Sequence, residues 1–141
     1  MGRFVRQSDL APRLLLPLGV ARNRVRFSEI GEDLAVRELE RRGYAILARR
    51  YRRRGGEIDI IAADGPTVVF IEVKARDGLD YGSGGEAVTA LKQRRLIATA
   101  RDYLTRQRLH DVPCRFDVVA VRLTDAGLEV ELFQNAFDAS G

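Results

Sequence analysis

Asp59, Glu72 and Lys74 are charges placed where apolar packing would be expected: Asp59 lies between Ile58 and Ile60, and Glu72 and Lys74 flank Val73. A charge in a buried strand costs desolvation free energy unless it is paired or binds a ligand. Residues two apart in a strand share a face at roughly 7 Å. Glu72 and Lys74 therefore point one way while Val69, Ile71 and Val73 point the other, and Glu57 shares a face with Asp59 in the same manner. If strand register sets Asp59 beside Glu72, two carboxylates converge on a volume able to hold Mg²⁺, which takes oxygen ligands and keeps several waters. Lys74 is then placed to orient or deprotonate an attacking water and to stabilise developing negative charge. The chemistry is hydrolysis assisted by a hard cation. The competing reading is a buried ion pair of Lys74 with Glu72 or Asp59, which alone adds little net stability.

The elements that position these residues are legible from pattern. Two apolar runs, 56–63 and 68–74, joined by Asp64-Gly65-Pro66, predict a β-hairpin. Upstream, Ser28 is a fitting helix start with Glu29, Glu32 and Asp33 in the first turns, Ile30, Leu34, Ala35 and Leu39 as a core stripe, and Gly43 as a stop. Glu32 lies beside that stripe and reads either as a site acid or as a solvated first-turn acid. Gly31 before it would let another backbone or a ligand come close. Residues 44–48 read as an edge strand, followed by a loop carrying Arg49, Arg50, Arg52, Arg53 and Arg54 around Tyr51. Such a basic rim suits phosphates, although a solvated charge run is the commoner meaning of such a stretch. A glycine-rich loop over 76–85 is expected to lie near the charged strand end, close enough to cover a substrate; it has no Gly-Lys-Ser/Thr and is not a P-loop. A second helix is expected from Thr89, with Leu91, Leu96, Ala100, Tyr103 and Leu104 inward and Lys92, Arg94, Arg95 and Arg101 elsewhere. Two further strands, 115–121 and 128–133, are joined by Thr124-Asp125-Ala126-Gly127, and Asp117 among them is expected to pair with an arginine. The order predicts an α/β fold around a mixed sheet of about five strands.

Composition narrows the function classes. The 141 residues, 45% of them hydrophobic, suit one domain with one modest core. Cys114 and His110 are the single cysteine and histidine, so neither a disulfide framework nor a Cys/His zinc site can be built within one chain. No run approaches the roughly 18 apolar residues of a membrane span. The stretch 14–21 is broken by Pro17 and Gly19 and lacks a cleavage pattern, so a soluble, unsecreted, cytoplasmic protein is expected. Only Lys74 and Lys92 among the 24 basic residues are lysines. Residues 1–27 carry six arginines against Asp9 and read as a basic, mobile extension ahead of a domain over 28–137 and a short tail at 138–141.

Asp59, twelve residues, then Glu72-Val73-Lys74, with Glu32 on a preceding helix, resembles the PD-(D/E)xK nuclease superfamily. Gly31-Glu32-Asp33-Leu34-Ala35, Arg42-Gly43-Tyr44, Gly55-Gly56-Glu57-Ile58-Asp59, Val69-Phe70-Ile71-Glu72-Val73-Lys74, Arg115-Phe116-Asp117-Val118-Val119-Ala120 and Gln134-Asn135-Ala136-Phe137 resemble the bacterial UPF0102 (YraN-like) family. The resemblance covers 28–137 and implies a restriction-endonuclease-like (tRNA endonuclease-like) core and similarity to Holliday junction resolvases. It further implies Glu32, Asp59 and Glu72 as ligands of Mg²⁺ or Mn²⁺, the Val73 carbonyl as another, and Lys74 as the catalytic lysine beside Asp59 and Glu72. Glu57 and Gln93 would stand at the rim, and Arg49, Arg50, Arg52, Arg53, Arg54 and Lys92 would engage nucleic acid, DNA before RNA. The implied activity is an endonuclease, with branched DNA among its expected substrates and a two-fold dimer as the expected assembly; a non-catalytic nucleic-acid-binding module is the alternative. Ile58 stands where the superfamily name has proline, and Gln93 is followed four residues on by Ile97 where some members have tyrosine.

Overall fold

The computed structural model describes residues 2–5, 20–76 and 88–138. In chain order the elements are β1 (Gly2–Val5), α1 (Val20–Arg41), β2 (Ala45–Arg53), β3 (Gly56–Asp64), β4 (Thr67–Arg76), α2 (Ala90–Arg106), β5 (Cys114–Thr124) and β6 (Gly127–Phe137). The strands form one sheet in the order β1-β6-β5-β4-β3-β2. Hairpins make most pairs antiparallel, whereas β4 and β5 run parallel because α2 carries the chain back between them. The result is the expected α/β architecture, a mixed sheet with a helix on either face.

The sheet divides the apolar residues into two clusters. Leu34, Ala35 and Leu39 of α1 pack on Ile60, Ala62, Val69, Ile71, Val119 and Val121. Leu96, Ala100 and Tyr103 of α2 pack on Ile58, Ile61, Phe70, Phe116 and Val118 on the opposite face. Alternation along β4 and β5 explains the division, since both central strands are covered on both sides. Glycine permits the closest contact on the first face: a Cβ on Gly31 would stand 2.7 Å from the Ala75 Cβ of β4. Each helix ends in a Schellman motif. Tyr44 N donates to Leu39 O and Gly43 N to Glu40 O after α1; Leu109 N donates to Leu104 O and Arg108 N to Thr105 O after α2. Gly43 takes the required positive φ of 92° without strain, whereas Arg108 takes 56° with a side chain attached.

Several features differ from expectation. α1 begins at Val20, eight residues before Ser28, and residues 2–5 pair with β6 at the sheet edge. Of the arginines expected on a loop, Arg49, Arg50, Arg52 and Arg53 lie on β2, which runs to Arg53 because Tyr51 packs its ring edge-on to Tyr103, and Arg54 alone stands in the turn that follows. Leu91, expected in the core, is 50% exposed: it sits in the first turn of α2, ahead of the point where the helix meets the sheet. Thr89 caps α2 as expected, its Oγ1 accepting from Lys92 N. The glycine-rich loop lies largely outside the described residues, as does much of the expected extension.

Candidate active site

The β3–β4 ladder runs from Asp64↔Thr67 to Ile60↔Ile71, and there the strands part. One step further would set Asp59 opposite Glu72, as the hairpin spacing predicts. In place of a backbone carbonyl, the Asp59 Oδ2 accepts from Val73 N at 2.8 Å. The pleat is interrupted at this point on two strands. Ile58 and Ile61, three apart, both pack on the α2 side, while Ile60 packs toward α1. Across on β2, Ala48 and Tyr51 show the same spacing, and Arg50 between them has φ of 52°. Arg49 pairs with Ile60 and Tyr51 with Ile58, so Arg50 and Asp59 face each other at the interruption. Asp59 thereby turns toward the neighbouring strand, between the two layers.

Acids reach it from both layers. Glu72, buried, projects from β4 toward α2 and is hydrogen-bonded with Asp59; Glu32, also buried, comes from α1. Burial, and next the Glu72 charge, push the Asp59 carboxyl up to about 7 against the opposing pull of the Val73 amide, with Glu32 adding to the rise. Cations answer the outer acids. Arg49 and Arg50 each donate to Glu32 Oε1 at 3.1 Å, Arg49 also reaches Asp33 at 2.8 Å, and Lys92 is ion-paired with Glu72. Lys74 follows Glu72 on the same face of β4 by alternation. A cleft of about 510 Å³ opens on this side, lined by Gly56, Glu57, Asp59, Glu72, Lys92 and Arg95 among others. Its wall is fixed by the approach of β3 to α2, where a Cβ on Gly56 would lie 2.2 Å from Thr99 Oγ1.

The structure thus brings Asp59 and Glu72 into contact and sets Glu32 close enough to act on Asp59 through its charge. Among the described residues, no three acids, histidines or cysteines are gathered tightly enough to form a metal cage as they stand. The donor set nevertheless suits a divalent cation: an electron-rich carboxyl pair raises its own proton affinity, and a hard cation would relieve the same charge in the proton's place. Of the predicted rim, Arg52 pairs with Glu57 at 2.5 Å and Arg53 with Asp102 at 3.0 Å. Gln93 is used in the fold, donating to Val88 O at 2.7 Å. Arg95 was hidden in the sequence because it directly precedes core Leu96 in an arginine pair, and only the helix phase shows that it enters the cleft.

A second polar group lies at the other end of β3. The buried Asp117 accepts from Tyr44 Oη, Arg115 and the Asn135 backbone N; Arg115 also reaches Asp64 at 3.0 Å. The Tyr44 hydroxyl accepts from Arg115 at 2.6 Å and from Gln134 at 2.7 Å. The expected arginine partner of Asp117 is therefore Arg115, and every member of the network is paired, which marks it as structural.

Residues 31–121 match the model of the uncharacterised protein family UPF0102. UPF0102 protein STH1475 of Symbiobacterium thermophilum is 53% identical over 115 residues, spanning 81% of this chain and 98% of the relative. A UPF0102 protein of Lachnoclostridium phytofermentans is 50% identical over 111 residues, 78% of this chain and 91% of its own. One from Geobacter metallireducens is 47% identical over 108 residues, 77% and 88% of the two chains. The span matched by the family model holds Glu32, Asp59, Glu72 and Lys74 together with the C-terminal half of α1 and all of α2, and the chain belongs to the UPF0102 family.

Proposed function

We propose that the chain is a Mg²⁺- or Mn²⁺-dependent endonuclease that hydrolyses phosphodiester bonds of DNA. The observation that carries this reading is the Asp59–Glu72 carboxyl pair at the parted strand ends, Glu72 buried and Asp59 half-buried, open to a cleft with Lys92 and Arg95 on its wall. Asp59, Glu72 and Glu32 would hold the cation, with the Val73 carbonyl as a further donor. When bound, the cation would polarise the phosphoryl oxygens and ease deprotonation of an attacking water. The protein's own part is placement and charge. Val73 N fixes the Asp59 carboxylate, Lys92 and Arg95 offer positive charge to a phosphate entering the cleft, and Lys74 is proposed to orient the water and take its proton. Purified protein incubated with Mg²⁺ or Mn²⁺ and linear, flapped and four-way DNA tests this, beside Asp59→Ala and Lys74→Ala. Cleavage confined to the wild type supports the reading; equal cleavage by all three refutes it.

One observation favours a second reading, a nucleic-acid-binding module without catalysis. Glu32 and Glu72 already have cationic partners in Arg49, Arg50 and Lys92, which would have to yield to a metal. Calorimetric titration with Mn²⁺ separates the two readings: heat that Glu72→Ala abolishes supports the enzyme, and its absence from the wild type supports the module.

A further inference from the structure

A second cleft of about 500 Å³ adjoins the carboxylate cleft, the two sharing Gly55 and Arg95. Its lining includes Arg53, Arg54, Arg94, Arg95 and Arg106 against a single acid, Asp102. Asp102 is already engaged by Arg53 at 3.0 Å and Arg106 at 3.1 Å, and receives the Tyr51 hydroxyl at 2.7 Å. Arg54, Arg94 and Arg95 make no ion pair among the described residues and stand exposed. Like charges held together without counter-charge are costly unless solvated or matched by an anion, and forked guanidinium groups match phosphate. The walls come from two separate parts of the chain, the end of β2 with the turn after it and one face of α2, and the close approach of Gly56 to Thr99 joins them. No described residue lining this cleft is aromatic, so it offers no platform on which an unstacked base could lie.

The geometry points to this cleft as a seat for the sugar–phosphate backbone of a double-stranded DNA arm flanking the phosphate held at Asp59 and Glu72. This deepens the endonuclease reading and rests on its nucleic-acid part alone, not on catalysis. The arm is held by backbone charge without base readout, so recognition is independent of sequence and favours duplex over single strand. Arg95, shared by both clefts, is the point at which the strand passes from one to the other.

The test is fluorescence anisotropy in EDTA with labelled duplexes of two unrelated sequences and a single strand of equal length, titrated over a salt series. Wild type is compared with Arg54→Gln/Arg94→Gln, each single variant, and a control, Arg37→Gln/Arg108→Gln, that removes the same charge elsewhere. The expected result is duplex-preferring, sequence-independent binding. The logarithmic salt dependence should fall by about 1 for each cleft arginine removed and stay unchanged in the control. Equal loss in the control, an unchanged salt slope in the cleft variant, or preference for single strand overturns the inference while leaving the endonuclease reading standing. Failure of the wild type to bind any DNA overturns both.

Discussion

Substitution of Gly31 by alanine should separate helix propensity from helix docking. An alanine Cβ would lie 2.7 Å from that of Ala75, whereas carbon atoms in good contact stand at about 3.5–4.0 Å. Both atoms are bonded directly to backbone, so no side-chain rotation relieves the overlap, and α1 must lift from β4 by about 1 Å. Overpacking of a core costs about 1–3 kcal/mol, and this rigid case belongs near the upper value. Replacing a helical glycine returns about 1 kcal/mol. The net expectation is a loss of about 2 kcal/mol, or about 1 M in urea midpoint at a typical slope for a small domain. Ala75→Gly removes the opposing methyl at a strand cost of about 0.5–1 kcal/mol, so the double variant should recover most of the loss with a coupling of about 1.5 kcal/mol or more. Urea denaturation of the four proteins provides the measurement. A Gly31→Ala protein as stable as wild type, or a coupling under about 0.5 kcal/mol, would refute the close-contact argument.

Other consequences follow from particular groups. Tyr44→Phe leaves Asp117, Arg115 and Gln134 each short of a partner and should cost about 1–3 kcal/mol in urea denaturation. Arg108→Gly, which relieves a positive φ at a helix end, should instead stabilise by about 0.5–1 kcal/mol in the same assay. Hydrogen bonds from Arg41 above all, opposed by burial, lower the Glu38 carboxyl from 4.5 to about 2. A lowered folded value means that its contribution is complete above pH 4.5 and is lost as pH falls toward 2. With partly exposed arginines that contribution is on the order of 1–2 kcal/mol, and Glu38→Gln should flatten the acid limb of stability by that amount. Asp59 has the opposite sign: its raised folded value favours the fold at low pH, and this advantage is lost as pH rises from 3.8 through about 7. Thermal melting of metal-free protein should therefore decline toward pH 8, Mn²⁺ should restore it, and Asp59→Asn should abolish both effects.

The hairpin spacing was enough to bring Asp59 to Glu72, because register in a tight hairpin is set by its turn and both flanking runs are buried. The architecture was legible for the same reason: the apolar periods of α1, α2 and the central strands have no alternative burial. The first half of β2 was legible as an edge strand, but its arginine-rich second half, 49–53, reads as a loop, since its strand character comes from Tyr51 packing on Tyr103 and from pairing to β3, both non-local. The second cleft was invisible because Arg54 and Arg94 are 40 positions apart in sequence, and only the Gly56–Thr99 approach makes them neighbours. The matched interruption at Arg50 and Asp59 had no sequence signal, for neither residue is glycine.

That interruption supplies a spectroscopic handle. The Val73 amide is capped by a carboxylate instead of a ladder carbonyl, so its proton resonance depends on the charge state of one side chain. In a ¹⁵N-labelled sample the Val73 cross-peak would follow the ionisation of Asp59 directly, and would report a cation's arrival at the same oxygen pair before any substrate is added.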